Sequence, residues 1–314
     1  MRTILLFTLA CISSLMSCSN HSTEEFVVDA NKPFPLQFNI QMEREVTTFP
    51  TTRSIPDTTI PEPTVSNPDS SEPELYELCD KIEYLVYKVD NETSTLYKHK
   101  HFTPDDIDFG FVYDSLPQGN YQFYFVAHSS ETATLAGSTL SFDKVSDTFC
   151  GSATLQITAA GEINKDITLE RIVSRIEFMA TDIVPKEINR FDMVVSGIVD
   201  QLDFTQRTGV PTANNYTFSH IFTPEEIELS NTTHSFYTFL PSADEKLSAH
   251  LTAIGEGEKV LRERNVTSII PEKNKIIRYK GRLYTPSESD DTFSLNVFDN
   301  GAWEETKEEE LTDD

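Results

Sequence analysis

Few side chains in this 314-residue sequence are placed to do chemistry, and the best placed is Cys18. It closes the run Leu15-Met16-Ser17-Cys18, where a small Ser precedes a thiol, and it is the only group there able to form a thioether. Two further thiols, Cys79 and Cys150, stand 71 positions apart. Outside the cytoplasm they could pair, contributing about 4 kcal/mol through loop closure. They could equally remain two free buried thiols, since sequence does not supply the Cα separation a bond requires. His99 and His101 alternate as strand neighbours would and offer half of a metal site, but spacing fixes no third ligand beside them. The acid pairs Asp105-Asp106 and Glu225-Glu226 do not face each other as an acid/base couple needs, because adjacent residues diverge. No nucleophile elbow, metalloprotease helix, phosphate-cradling glycine run or calcium loop is present. The expectation is no catalytic residue, no metal and no cofactor.

What precedes Cys18 gives that thiol its meaning. Met1 to Ser17 has a positive start at Arg2, an apolar stretch from Ile4 to Cys11 and small residues after it. This is the layout of an export signal, too short to span a membrane. Its last four residues, with Cys18, resemble the lipobox of bacterial lipoproteins. The resemblance implies cleavage before Cys18, a diacylglyceryl thioether on its sulfur and acylation of the new amine. Several acyl chains at about 0.8 kcal/mol per buried CH₂ anchor stably where one would not. Residues 1–17 are accordingly read as signal peptide, and Cys18 as the lipid attachment site on the outer membrane.

The mature chain of 297 residues suits two ordinary domains. Its formal charge, −26 for the whole sequence, becomes −27 without Arg2. Such a surface repels phosphate backbones, which excludes nucleic acid as a partner. With 21 Phe and 11 Tyr, and with many Thr and Val, the composition favours strands.

The pattern along the chain divides it. Six prolines fall between Pro50 and Pro73 among Thr, Ser, Asp and Glu, so residues 18–76 read as a lipidated N-terminus and a Pro/Thr-rich spacer. One apolar stretch, Phe34 to Ile40, interrupts it. From residue 77 strands follow in series. Ile82, Tyr84 and Val86 alternate with Glu83, Leu85 and Tyr87, a strand apolar on both faces, and Tyr121 to His128 alternates likewise. Leu247, Ala249, Leu251 and Ala253 alternate with polar residues, a half-buried strand. An echo suggests duplication: Phe102-Thr-Pro-Asp-Asp-Ile107 recurs as Phe222-Thr-Pro-Glu-Glu-Ile227, and each leads to a Leu-Pro, at Leu116-Pro117 and Leu240-Pro241. Thr, Pro and two acids predict a helix start in each copy. The reading is all-β, with sandwiches at 77–170 and 171–303 and an acidic tail at 304–314.

Ordered segments of the chain are together similar to the fimbrillin superfamily of Bacteroidales. They are the lipobox at Cys18, Lys81-Ile-Glu-Tyr-Leu-Val-Tyr-Lys-Val-Asp90, Leu116-Pro-Gln-Gly-Asn-Tyr-Gln-Phe-Tyr-Phe125, Leu169-Glu-Arg-Ile-Val-Ser-Arg-Ile-Glu177 and Asn274 to Tyr284 with Phe293 to Phe298 and Trp303. The resemblance implies two tandem transthyretin-like β-sandwiches after a signal peptide and Pro-rich spacer. It implies a fimbrial anchor or accessory subunit on the cell surface, joined to fimbrillin subunits by β-strand complementation. It also implies that, in polymerising members, a protease cuts after an Arg and the first strand is lost. Arg44 and Arg53 are the processing candidates here. Glu304 to Asp314 offers an alternating apolar set only at Leu311, which reads as a poor donor strand and favours one end of a fibre. The alternatives are a glycan-binding or adhesive surface lipoprotein, a fimbrial tip subunit and, least favoured, a secreted hydrolase. Exposed, coplanar Tyr or Phe on one sheet would support the glycan reading, and buried aromatics would weaken it.

Overall fold

The structure, a computed structural model, describes residues 32–43, 75–106, 109–158, 161–212, 215–241, 245–286, 292–299 and 305–311. The first nine strands are β1 (Phe34–Met42), β2 (Lys81–Asp90), β3 (Thr93–Phe102), β4 (Phe111–Leu116), β5 (Gly119–His128), β6 (Ala133–Ala136), β7 (Thr139–Phe142), β8 (Phe149–Ile157) and β9 (Ile163–Arg171). A single helical turn, α1 (Leu75–Leu78), precedes β2. Seven of these strands run in the order β3-β2-β5-β8-β9-β1-β4. The sheet folds over where β8 leaves β9, since their pairing is confined to Phe149–Arg171 and Cys150–Glu170. Close approach at that fold requires a glycine: a Cβ on Gly151 would stand 2.7 Å from the Thr168 carbonyl oxygen. The two leaves, β3-β2-β5-β8 and β9-β1-β4, enclose one core containing Phe38, Ile82, Tyr84, Val112, Phe123, Phe125 and Leu169.

The remaining strands are β10 (Val173–Ala180), β11 (Ile188–Ser196), β12 (Gln201–Asp203), β13 (Thr208–Val210), β14 (Asn215–Ile221), β15 (Thr233–Phe239), β16 (Leu247–Gly255), β17 (Val260–Ile269), β18 (Lys275–Gly281), β19 (Phe293–Asp299) and β20 (Glu305–Leu311). Two sheets, β15-β10-β18-β19-β20 and β14-β11-β16-β17, share a second core around Phe178, Phe191, Leu251, Tyr279 and Tyr284. The two sandwiches are built alike. β1 pairs antiparallel with β4 and parallel with β9; β10 pairs antiparallel with β15 and parallel with β18. The opposing leaves, β3-β2-β5-β8 and β14-β11-β16-β17, correspond strand for strand.

That duplication explains the repeated Phe-Thr-Pro motif, which sits between β3 and β4 in one sandwich and between β14 and β15 in the other. Neither copy begins a helix of ordinary length. Pro224–Glu226 is a single 3₁₀ turn, and Thr103 to Asp106 is a turn. In both, the acid three residues on accepts from the Thr backbone N–H, Asp106 to Thr103 and Glu226 to Thr223, each at 2.7 Å. The acid's contact with the Thr backbone is present in each copy, but only one turn follows it.

A third, small sheet joins the sandwiches. β12 of the second pairs with β7 of the first, in the order β13-β12-β7-β6. Beneath it lies an apolar core fed from both sides, with Leu85, Tyr87, Tyr124, Val126, Leu140 and Cys150 meeting Val199, Leu202, Phe204 and Phe239. This accounts for a strand apolar on both faces: β2 turns Ile82, Tyr84 and Val86 into its own sandwich and Leu85 and Tyr87 into the shared core. The chain crosses between sandwiches at Ile172, beside buried Arg171, whose guanidinium donates to both Asp147 carboxylate oxygens at 2.7 and 2.9 Å and to Asn274 at 3.1 Å.

Two expectations about the chain ends need correction. Residues 18–76 are not spacer throughout, because Phe34–Met42 is a strand inside the first sandwich. Residues 305–311 are not a bare tail, because β20 pairs antiparallel with β19 from Phe293–Leu311 to Phe298–Glu305. The run of acids argued against filling a neighbour's groove, and backbone pairing at the chain's own sheet edge leaves that expectation untouched.

Candidate functional site

The first strand and the groove that holds it form the candidate site. In Phe34-Pro-Leu-Gln-Phe-Asn-Ile40 every second side chain is apolar, the period of a half-buried strand. Pro35 is tolerated next to the strand's beginning, where a missing N–H costs little. Hydrogen bonding runs along both edges: Phe34 to Asn39 faces Leu116 to Phe111 of β4, and Leu36 to Met42 faces Ile163 to Leu169 of β9. Inward, Phe34, Leu36, Phe38 and Ile40 are buried, and Phe38 is wholly so. Its ring lies 4.8 Å from that of Phe123 and 5.2 Å from that of Phe125 between centroids. Four such side chains at about 1.5–3 kcal/mol each contribute roughly 6–12 kcal/mol of transfer free energy. Without β1, that surface would be an apolar groove flanked by the unpaired edges of β4 and β9.

The groove's floor carries one polar constellation. Tyr84 donates to Asp114 at 2.9 Å, and Lys98 of β3 donates to the other oxygen of Asp114 at 2.5 Å. Burial, and then the neighbouring Asp114 carboxylate, pushes the Tyr84 phenol well above its ordinary range. The hydroxyl therefore stays a donor at any physiological pH. Lys98–Asp114 links the two outermost strands of the seven, β3 and β4, by side chains where their backbones do not pair.

The residues singled out from sequence are distributed as follows. Cys18, Arg44 and Arg53 lie outside the described residues. Cys79 and Cys150 are both free and buried, and they belong to different cores. The Cys79 thiol donates to the Leu75 carbonyl at 3.4 Å in α1, whereas Cys150 faces the Phe204 carbonyl at 3.9 Å in the shared core. The structure does not bring them together, and burial pushes each thiol up to about 12. His99 contacts Glu83 at 2.5 Å. Among the described residues no group of three His, Cys, Asp or Glu gathers to hold a metal ion. No described helix is long and apolar enough to cross a membrane. What sequence reading missed is β1 as a core strand; its strict alternation from Phe34 to Ile40 was the available signal.

Two sandwiches of matching strand order, each with a strand seated between an antiparallel and a parallel neighbour, define an all-β fold class. The particular family follows from comparison: a family model for the fimbrillin-A associated anchor proteins Mfa1 and Mfa2 matches residues 63–307, and the chain belongs to that family. The match begins after β1. It gives the chain a fimbrial accessory role and associates it with fimbriae at the cell surface. No curated protein matches in sequence. Among solved structures, the fimbrial anchor protein Mfa2 from Porphyromonas gingivalis is similar at 10% identity, with 90% of this chain and 100% of that chain covered and a TM-score of 0.47. A fimbrial assembly protein from Parabacteroides distasonis is similar at 12% identity, covering 85% and 98%, with a TM-score of 0.44. The tip fimbrial protein Mfa3 from Porphyromonas gingivalis is similar at 9% identity, covering 90% and 100%, with a TM-score of 0.40.

Proposed function

We propose that this protein is a membrane-anchored accessory subunit of a fimbria, held by lipid on Cys18 and joined to fimbrillin by strand pairing. The observation that carries the reading is β1 seated in its own groove. Only residues 19–33 separate Cys18 from β1, at most about 50 Å of extended chain. Pull from a fibre therefore reaches the membrane through β1, in shear against two hydrogen-bonded neighbours. The Pro-rich segment from residue 43 to 74 connects β1 to α1, and both pack on the same core. The two ends of that segment are thus held on one body.

A subunit whose own first strand fills its groove has no vacancy there for a neighbour's strand. That suits the terminal place in a fibre. Fimbrillin would instead pair with a sheet edge, and among the described strands β14 and β17 end a sheet of the second sandwich. Cutting after Arg44 or Arg53 would sever β1 and its lipid from the rest of the chain, so anchoring requires those bonds to stay intact. The test is affinity capture of the lipoprotein from cells, together with deletion of its gene. A co-captured fimbrillin, with fibres shed or lengthened after deletion, supports the reading. Capture without fimbrillin and fibres of unchanged attachment and length refute it.

A further inference from the structure

The outer face of β4, β1 and β9 carries side chains that the anchoring role does not use. Phe111 and Tyr113 of β4 point away from the core and are 49% and 56% exposed. Two positions apart on one strand, they stand on the same face about 6.8 Å from each other. Neither ring contacts another aromatic ring among the described residues. Register places Asn39 and then Asp166 beside Phe111, and Gln37 and then Asn164 beside Tyr113. The face thus consists of two rows, each an aromatic ring followed by amides or a carboxylate. Asn39 donates to Asp166 at 3.1 Å, which fixes one row.

We propose that this face binds a neutral glycan, its sugar rings stacked on Phe111 and Tyr113 and its hydroxyls bonded by the amide rows. A sugar has an apolar C–H face for an aromatic ring and a rim of donors and acceptors for Gln37, Asn39, Asn164 and Asp166. A protein sheet packed on the same surface would bury the Gln37 and Asn164 amides away from solvent, at about 1–3 kcal/mol for each left unbonded. Charge narrows the class further. A chain of formal charge −26, with a carboxylate on the face, disfavours sulfated and uronic glycans. An edge strand ordinarily protects itself with charged side chains, and β4 instead exposes two aromatic rings.

This inference stands apart from the anchoring role, since the face depends on neither Cys18 nor a fimbrillin. The test is titration calorimetry on the mature chain with Cys18→Ser, against neutral β-linked gluco-, manno-, xylo- and galacto-hexasaccharides and a heparin hexasaccharide. Binding of at least one neutral probe is expected. Phe111→Ala and Tyr113→Ala should each weaken it about tenfold, with Tyr113→Trp retaining it and unfolding temperatures unchanged. Four outcomes overturn the proposal: no neutral probe binds; heparin binds best; the alanine variants bind as well as the parent; or the parent is a dimer that those variants dissolve, which gives the face to a second copy.

Discussion

Replacing Phe38 with Ala tests whether β1 is part of the folded body. Phe38 is wholly buried and touches Phe123, Phe125 and Tyr84, with ring centroids 4.8, 5.2 and 6.1 Å away. Removing a buried phenyl ring loses its transfer free energy and leaves a cavity that stiff neighbours fill poorly. The expected cost is about 3–5 kcal/mol. Asn39→Ala is the control on the same strand: its side chain faces outward and loses one exposed hydrogen bond to Asp166, worth about 1 kcal/mol or less. Urea unfolding of the Cys18→Ser mature chain, followed by circular dichroism and tyrosine fluorescence, should show a far lower midpoint for Phe38→Ala and little change for Asn39→Ala. Equal, small effects from the two substitutions would refute the placement of β1 in the core, and with it the path of load from lipid to sandwich.

Other substitutions probe how the sandwiches are joined. Asp147→Ala leaves the buried Arg171 guanidinium without its paired carboxylate and should cost about 3–5 kcal/mol, whereas Asp147→Leu with Arg171→Met should cost much less; chemical unfolding of both variants separates the cases. His234 is buried beside Tyr284, and burial first, then His220, holds its imidazole down to about 3. The unfolded chain takes up that proton near the ordinary His value of about 6.5 and the folded chain does not, so stability falls as pH drops below about 6.5. Between pH 7.5 and 5.5 this one group should remove about 1.4 kcal/mol, and His234→Gln should lack that part of the loss when both proteins are unfolded in urea at the two pH values.

Strands that bury one face were plain in the sequence, because strict alternation at Leu247 to Ala253 has no other economical reading. The duplication was also legible, since Phe-Thr-Pro-acid-acid-Ile marks the same crossing between leaves in each half. The turn it opens was overread as a helix, because N-cap chemistry does not encode how many residues follow. β2 looked apolar on both faces, yet nothing local says that its second face meets Leu202 and Phe204, more than a hundred residues on. β1 was hidden by its neighbours: one short alternating run beside a Pro-rich segment gives no sign of the parallel partner β9, far along the chain. β20 was hidden by charge, which disfavours a groove-filling role but not backbone pairing at an edge. The exposed rings of β4 could be read as aromatic; only the register of β1 and β9 sets the amides beside them.

The most direct test of the anchoring account is the intact mass of the protein extracted from cell membranes. One continuous chain beginning at acylated Cys18, with Phe34–Met42 included, is the expected result. A lipid-free soluble chain beginning after Arg44 or Arg53 would contradict it, because the strand that ties the sandwich to its tether would be gone.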